Sequence, residues 1–443
     1  MTTLELWIVT SEACIKLPAA YIPHLPLHRT MSHILPRTPG ICTRRLLRQR
    51  KAPRPTRSLS STTAPHAIPP PSPPSSGAAL LPTRRLISLH GSDAPKFLQG
   101  LLTADVTSPP TKHSGLYSAF LTAQGRVLHD VFLYRTLGSS WHRSAYGEGL
   151  EPGYLVEVDA KETETLLKHL KKHKLRSRFT MRLLEDGELG VWSTWREGER
   201  WTAHTQSSGS AADDGLLGLS DCRAPGMGHR LLLPPTSQST RLPAELELGE
   251  APETAYRIRR YLRGVPEGQR EILRDDSLPM NCNIDLMGGI DFKKGCYLGQ
   301  ELTIRTHHTG VVRRRVLPVL LYERGGSVPE RLEYVVQAAE AVGGKVTVEG
   351  TEHLDIRRDD KRKKPTGKLI ASVGNVGLGI CRLEQMSDLT VSGEGSSFSP
   401  DDRFFVAGKD DSVGEATVGV KAFVPDWLRG RIREPKIQRR VEQ

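Results

Sequence analysis

Lys294-Gly295-Cys296-Tyr297-Leu298-Gly299-Gln300-Glu301 is the one stretch of the 443-residue chain that reads as a site rather than as scaffold. Two glycines four positions apart bracket a cysteine, and glycine allows the positive φ and close backbone approach of a tight loop over a ligand. Lys294 stands two residues before the sulfur, where an ammonium favours the thiolate, the form that attacks electrophiles and binds soft metals. Cys296 is therefore the candidate functional thiol. A buried, inert cysteine in a glycine turn has the same local pattern.

Outward from that stretch, the preceding chain alternates strands and helices. Leu86 to Leu89 predicts a strand, and Gly91-Ser92-Asp93-Ala94-Pro95 predicts a helix start, with Ser92 or Asp93 as cap and proline in the first turn. Phe97, Leu98, Leu101 and Leu102 then share one face, and Gly100 is expected to allow close packing. Tyr117 to Leu121 and Val127 to Tyr134 form a hairpin through Gln124-Gly125. Tyr154 to Val158 predicts a strand and Lys161 to Leu175 a helix, with Leu166, Leu167 and Leu170 inward and Lys168, Lys171, Lys172 and Lys174 on a solvated face. Met181 to Leu184 returns as a strand, giving a split β-α-β layer. Gly187 to Asp214 is polar and irregular, and reads as a surface excursion. A helix is expected from about Glu253 to Leu262. Beyond Gly310 the chain changes character: Val316 to Tyr322, Lys345 to Val348, Gly367 to Val373, Val376 to Cys381 and Ala416 to Val420 are short β-type runs, predicting a small antiparallel barrel. Lys361 to Lys364, with Arg357 and Arg358, reads as a solvated loop between strands.

The basic balance sits at the N-terminus. The formal charge is +12, of which residues 1–82 contribute +8, leaving +4 for the other 361 residues. No acidic residue occurs between Glu12 and Asp93, while Arg, Ser and Pro abound, the pattern of an organellar transit peptide rather than a secretory signal. The reading is a transit peptide over 1–59, cut after Leu59 at Arg57-Ser58-Leu59-Ser60, then a proline-rich disordered linker over 60–82. Little is left for a nucleic-acid partner, and no apolar run approaches the ~20 residues of a membrane span. The six cysteines (14, 42, 222, 282, 296, 381) show neither C-x-x-C pairs nor zinc spacing, so a cluster or metal on Cys296 needs ligands from a partner.

The motif at 294–301, followed by Arg305, His308, Gly310 and Arg313 to Arg315, resembles the signature of the YgfZ-type proteins, relatives of the glycine-cleavage T-protein. Gly-x-Asp-Ala-x-x-Phe-Leu-Gln-Gly-x-x-Thr-x-Asp-Val, read from Gly91 to Val106, resembles the opening of the same domain. The likeness runs from about Thr83 to Trp427 and points to the mitochondrial branch of late-acting iron-sulfur assembly factors. It implies an α+β, GcvT-like folate-binding fold, with ferredoxin-like layers in a cloverleaf over 83–310, a C-terminal antiparallel β-barrel over 311–430 and a basic tail over 431–443. The family's ligand contacts fall on Lys294, Gly295, Tyr297, Gly299, Gln300, Glu301, Arg305 and Asp130; for Asp130 a plain strand hydrogen bond is the alternative. The methyl-transferring relatives carry an Asp-Asp pair where this chain has His129-Asp130, and a pterin-holding glutamate where it has Leu262.

The resemblance implies a mitochondrial matrix protein that helps an A-type iron-sulfur carrier build or deliver [4Fe-4S] clusters to apo-proteins such as aconitase and lipoate synthase. Cys296 would be a ligand of a transient iron-sulfur cluster shared with the partner, on a transferase-like fold that is not itself an enzyme. The alternative is a tetrahydrofolate-dependent aminomethyl or methyl transferase or oxidoreductase.

Overall fold

The structure, a computed structural model, describes residues 9–10, 13–14, 68–107, 115–199, 217–234, 246–342, 353–360, 364–392, 395–406 and 418–432. The chain divides into two units, Met1–Thr63 and Ala64–Gln443. In the first, β1 (Val9–Thr10) pairs antiparallel with β2 (Ala13–Cys14). The cut after Leu59, the strand expected at Lys345 to Val348 and most of the basic tail lie outside the described residues, as do Lys361, Arg362 and Lys363 of the charged loop.

The second unit opens with β3 (Ser76–Leu80), β4 (Arg84–His90) and α1 (Ala94–Leu101). Asp93 is the N-cap and proline occupies the first turn, as the motif predicts. Leu98, Leu101 and Leu102 are buried, but a Cβ on Gly100 would meet nothing. Gly100 is thus not a packing glycine; its carbonyl accepts from the Leu298 N–H at 2.9 Å. The hairpin β5 (Gly115–Leu121) and β6 (Val127–Arg135) follows, then α2 (Ser140–Tyr146), β7 (Gly153–Asp159), α3 (Thr163–Lys174) and β8 (Thr180–Leu183). These strands make a five-stranded antiparallel sheet in the order β5-β6-β7-β4-β8. One face carries α1 and α3 over a core that includes Leu98, Val131, Val156, Leu166 and Leu170.

β9 (Gly190–Arg196), β10 (Leu217–Ser220) and β11 (His229–Leu233) join β3 in a second sheet, ordered β10-β11-β9-β3. Two sequence expectations fail here. The linker drawn over 60–82 ends early: after Pro74 the proline-free Ser75–Leu81 keeps every N–H donor, and Ala78 and Ala79 are wholly buried beside β9. The region read as a surface excursion contains an interior strand, because Trp195 enters the core between the sheets while Trp192 enters the opposite core with Ala78 and Leu231. A strand buried on both faces loses the alternation by which strands are recognised.

α4 (Glu253–Leu262) lies where the sequence places it, and its Ile258 and Tyr261 pack on Val316, Leu320 and Leu378 of the barrel. α5 (Gln300–Thr309) is the second half of the signature stretch. Then come β12 (Arg314–Glu323), α6 (Val336–Val342), β13 (Leu354–Arg358), β14 (Gly367–Val373), β15 (Val376–Arg382), α7 (Leu383–Met386), β16 (Phe404–Val406), β17 (Val418–Ala422) and α8 (Asp426–Arg429). The six strands close an antiparallel barrel in the order β12-β15-β14-β13-β16-β17, filled by Leu317, Leu369, Cys381, Phe404 and Val420. Arg357 and Arg358, expected in a loop, are on β13. No helix among the described residues is long and apolar enough to cross a membrane.

Candidate functional site

The signature stretch is pinned on both sides of its cysteine. Lys294 sends its ammonium to three carbonyls at the end of α1, those of Gln99 (2.8 Å), Leu102 (2.7 Å) and Ala104 (3.0 Å). Carbonyls at a helix C-terminus lack intrahelical partners and carry partial negative charge, so a cation is favoured there. Burial lowers the ammonium's pKa to about 8. The sequence reading gave Lys294 to the sulfur; the fold gives it to the backbone of α1.

On the other side Tyr297 is buried beneath Lys294, whose Nζ lies 5.0 Å from the ring centroid, and the Tyr297 N–H donates to Gln300 Oε1 at 3.2 Å. Leu298 is tied to Gly100, and Phe292 stacks on His307 of α5 with centroids 3.5 Å apart. Between these anchors Gly295 and Cys296 are exposed. The loop therefore holds the Cys296 thiol out toward solvent on a backbone fixed at both ends. Glu301 and Arg305 are exposed on α5, and Gln300 acts within the turn.

The two glycines are not equivalent. Gly299 has φ +81° and caps α5, and a Cβ there would stand 2.1 Å from the Thr122 carbonyl oxygen. Gly295 has no neighbour within 4 Å of an added Cβ. Gly299→Ala is expected to lose at least about 1–2 kcal/mol, the cost of a left-handed L-residue, and Gly295→Ala close to nothing. Urea denaturation of the two variants checks this; equal midpoints would contradict it.

Asp130 lies in a different environment. It is wholly buried, accepts from the Gly268 N–H through Oδ1 at 3.0 Å, and has Arg84 Nη1 3.6 Å from Oδ2. Burial raises its pKa although Arg84 opposes the shift. Around it runs an ion-pair network. Arg84 Nε and Arg230 Nη1 each lie 2.8 Å from Glu157 Oε1, Arg223 Nη1 lies 2.8 Å from Glu267 Oε2, and Arg230 also donates to Glu267. Tyr256 donates to Glu267 at 2.7 Å and Tyr134 to Glu157 at 2.6 Å, while Arg223 and Arg230 lie over the Phe132 ring at 4.8 and 4.6 Å. His129, next along β6, is also buried, and its pKa falls to about 3 through desolvation and Arg274. Leu262 packs in the apolar cluster between α4 and the barrel. Most of these side chains bond one another and Leu262 is hydrocarbon, while Asp130 Oδ2 and both ring nitrogens of His129 are buried without a hydrogen-bond partner.

The sequence did not reveal α5, whose one buried side chain is Thr303, nor the buried network, whose members span Arg84 to Glu271. No three His, Cys, Asp or Glu side chains are grouped as metal ligands among the described residues. Of the four cysteines whose surroundings are described, Cys222, Cys282 and Cys381 are buried and Cys296 is exposed. Burial pushes the thiols of Cys282 and Cys381 up to about 12.

Comparison with known proteins places this arrangement. Residues 313–430 match the family model described as CAF17, C-terminal beta-barrel domain. A protein of Pyricularia oryzae named "Iron-sulfur cluster assembly factor IBA57 homolog, mitochondrial" is 47% identical over 359 residues, covering 80% of this chain and 85% of that one. Proteins of the same name from Chaetomium globosum and Neurospora crassa are 43% and 41% identical, covering 88% and 80% of this chain and 92% and 81% of theirs. Among solved structures, the glycine cleavage system aminomethyltransferase T from Bartonella henselae superposes with a TM-score of 0.51 over 82% of this chain and 89% of that one. At 12% identity that likeness concerns the fold alone.

Proposed function

This chain belongs to the IBA57 family of mitochondrial iron-sulfur cluster assembly factors, and on that premise we propose that it works by presenting Cys296 as one thiolate ligand of a cluster shared with a partner. The observation that carries the reading is the contrast between an exposed Cys296 on a pinned loop and three buried cysteines. Iron-sulfur clusters take about four thiolates, so the remaining ligands come from the partner, an A-type carrier in the mitochondrial matrix. The thiol gives up its proton as the sulfur-iron bond forms, and exchange of that bond for a client's thiolate passes the cluster on. The clients are apo [4Fe-4S] proteins of the aconitase and lipoate-synthase kind.

Removing the gene from its host tests the reading. Aconitase activity and protein lipoylation should fall while [2Fe-2S] ferredoxin persists; unchanged aconitase and lipoylation would overturn it.

The transferase alternative forecasts tetrahydrofolate binding and aminomethyl transfer, and the shared-cluster reading forecasts neither. With Leu262 in an apolar cluster and Asp130 wholly buried beside Arg84, tetrahydrofolate should bind weakly or not at all and aminomethyl transfer should be absent. Calorimetric titration and turnover of an aminomethylated carrier protein decide this, and rapid turnover would restore the enzyme reading.

A further inference from the structure

α5 borders a pocket of about 360 Å³. Its walls are largely apolar, with Leu278, Met280, Leu302 and Val312 among them, and Val311 at 46% exposure stands at its rim. One polar group in the wall is unsatisfied. Thr303 is 3% exposed and its hydroxyl has no hydrogen-bond partner. Helical threonines ordinarily return that bond to a carbonyl one turn back. Thr306 and Thr309 do so, to Leu302 at 2.8 Å and Arg305 at 3.0 Å. A buried hydroxyl without a partner is unfavourable, and one that lines a pocket is satisfied by whatever enters.

The rim adds a second unsatisfied feature. Arg314, a pocket residue, faces Arg382 directly across the β12–β15 ladder, and both are exposed. Like charges directly opposite on neighbouring strands repel. Desolvation and Arg314 together lower the pKa of Arg382. A carboxylate between the two guanidiniums removes the repulsion and gains charge-assisted hydrogen bonds.

The pocket also adjoins the turn that presents the thiol. Gly125, at the tip of the β5–β6 hairpin, forms part of the pocket wall, and a Cβ on it would stand 3.0 Å from the Gly299 carbonyl oxygen. The pocket wall thus touches the signature stretch at Gly299, three residues along the chain from Cys296.

We propose that this pocket docks a short segment of the cluster-carrying partner, in which an apolar side chain enters beside Thr303 and a flanking carboxylate bridges Arg314 and Arg382. The proposal rests on the shared-cluster reading and adds the chemistry by which the partner is recognised. The hydroxyl of Thr303 bonds the segment's backbone.

The test places a benzophenone side chain at Val311 of the full-length protein and irradiates it with an A-type carrier under anaerobic, cluster-forming conditions. The expected cross-link is to a carrier peptide that holds an acidic residue beside an apolar one. Arg314→Glu should lower its yield at least tenfold while leaving the thermal midpoint the same or higher, because it removes the repulsion with Arg382. A lost cross-link accompanied by a fallen midpoint, an undiminished yield in Arg314→Glu, or cross-linking only to a second copy of this chain overturns the proposal. Cys296→Ser separates the two readings. A cross-link that persists without a cluster supports docking while the ligand reading fails or holds on its own test; a cluster held through Cys296 with no cross-link refutes docking alone.

Discussion

Cys296→Ser is expected to abolish rescue of aconitase activity and lipoylation in cells lacking this protein, with its folding stability unchanged. The side chain is exposed on a loop whose anchors are Lys294, Tyr297 and Leu298, so exchanging sulfur for oxygen touches no packing. Serine is nearly the same size and a far poorer ligand for iron-sulfur centres. Cys381→Ser is the control with the reverse profile. Its sulfur is wholly buried in the barrel core, so a hydroxyl there is expected to cost about 1–3 kcal/mol while leaving cluster handling to the folded fraction. Complementation assays beside urea denaturation of both variants check the pair. Full rescue by Cys296→Ser would make the loop a structural turn.

Arg230→Met should produce the largest loss of stability. Arg230 is fully buried and pairs with both Glu157 and Glu267, so its removal leaves two carboxylates under-compensated away from water. Breaking a buried pair from one side costs about 3–5 kcal/mol. The effect also has a pH signature. Burial raises the Glu267 pKa, but Arg230, Arg223, Arg260 and Arg84 outweigh it and hold the carboxyl well below the usual carboxylate range. A depressed folded-state pKa gives stability that is fully present above the unfolded value, about 4.3, and is lost as pH falls through the folded one. Without Arg230 the folded value rises, so the acid unfolding transition moves to higher pH. Denaturation curves from neutral pH down to about pH 2, followed by circular dichroism, check both parts; identical acid limbs for variant and wild type would contradict the assigned role.

What was legible in the sequence was local. Ser92-Asp93-Ala94-Pro95 announces a helix start, and Asp93 is the cap; Gln124-Gly125 announces a hairpin, and β5 and β6 flank it. The signature stretch disclosed Cys296 because glycine, cysteine and lysine cluster within a few residues. What escaped was non-local. Lys294 looks like a thiol's neighbour in one dimension, yet its partners are residues 99, 102 and 104, nearly two hundred positions earlier. Trp192 and Trp195 face different cores, which erases the periodicity of β9. The two glycines of the motif look alike in sequence, and only the positive φ and the nearby Thr122 carbonyl distinguish Gly299. Asp130 stands out through the family resemblance, and the arginines around it are not legible beside it because they come from distant strands and a loop.

The most direct test of the shared-cluster account is anaerobic reconstitution of the full-length chain with an A-type carrier, followed by gel filtration with visible and Mössbauer spectroscopy. Wild type should co-elute with the carrier as one complex that holds the cluster, and Cys296→Ser should elute apart from a carrier that alone retains iron. A Cys296→Ser complex with the same elution volume, iron content and spectrum as wild type would contradict the claim that Cys296 is a ligand.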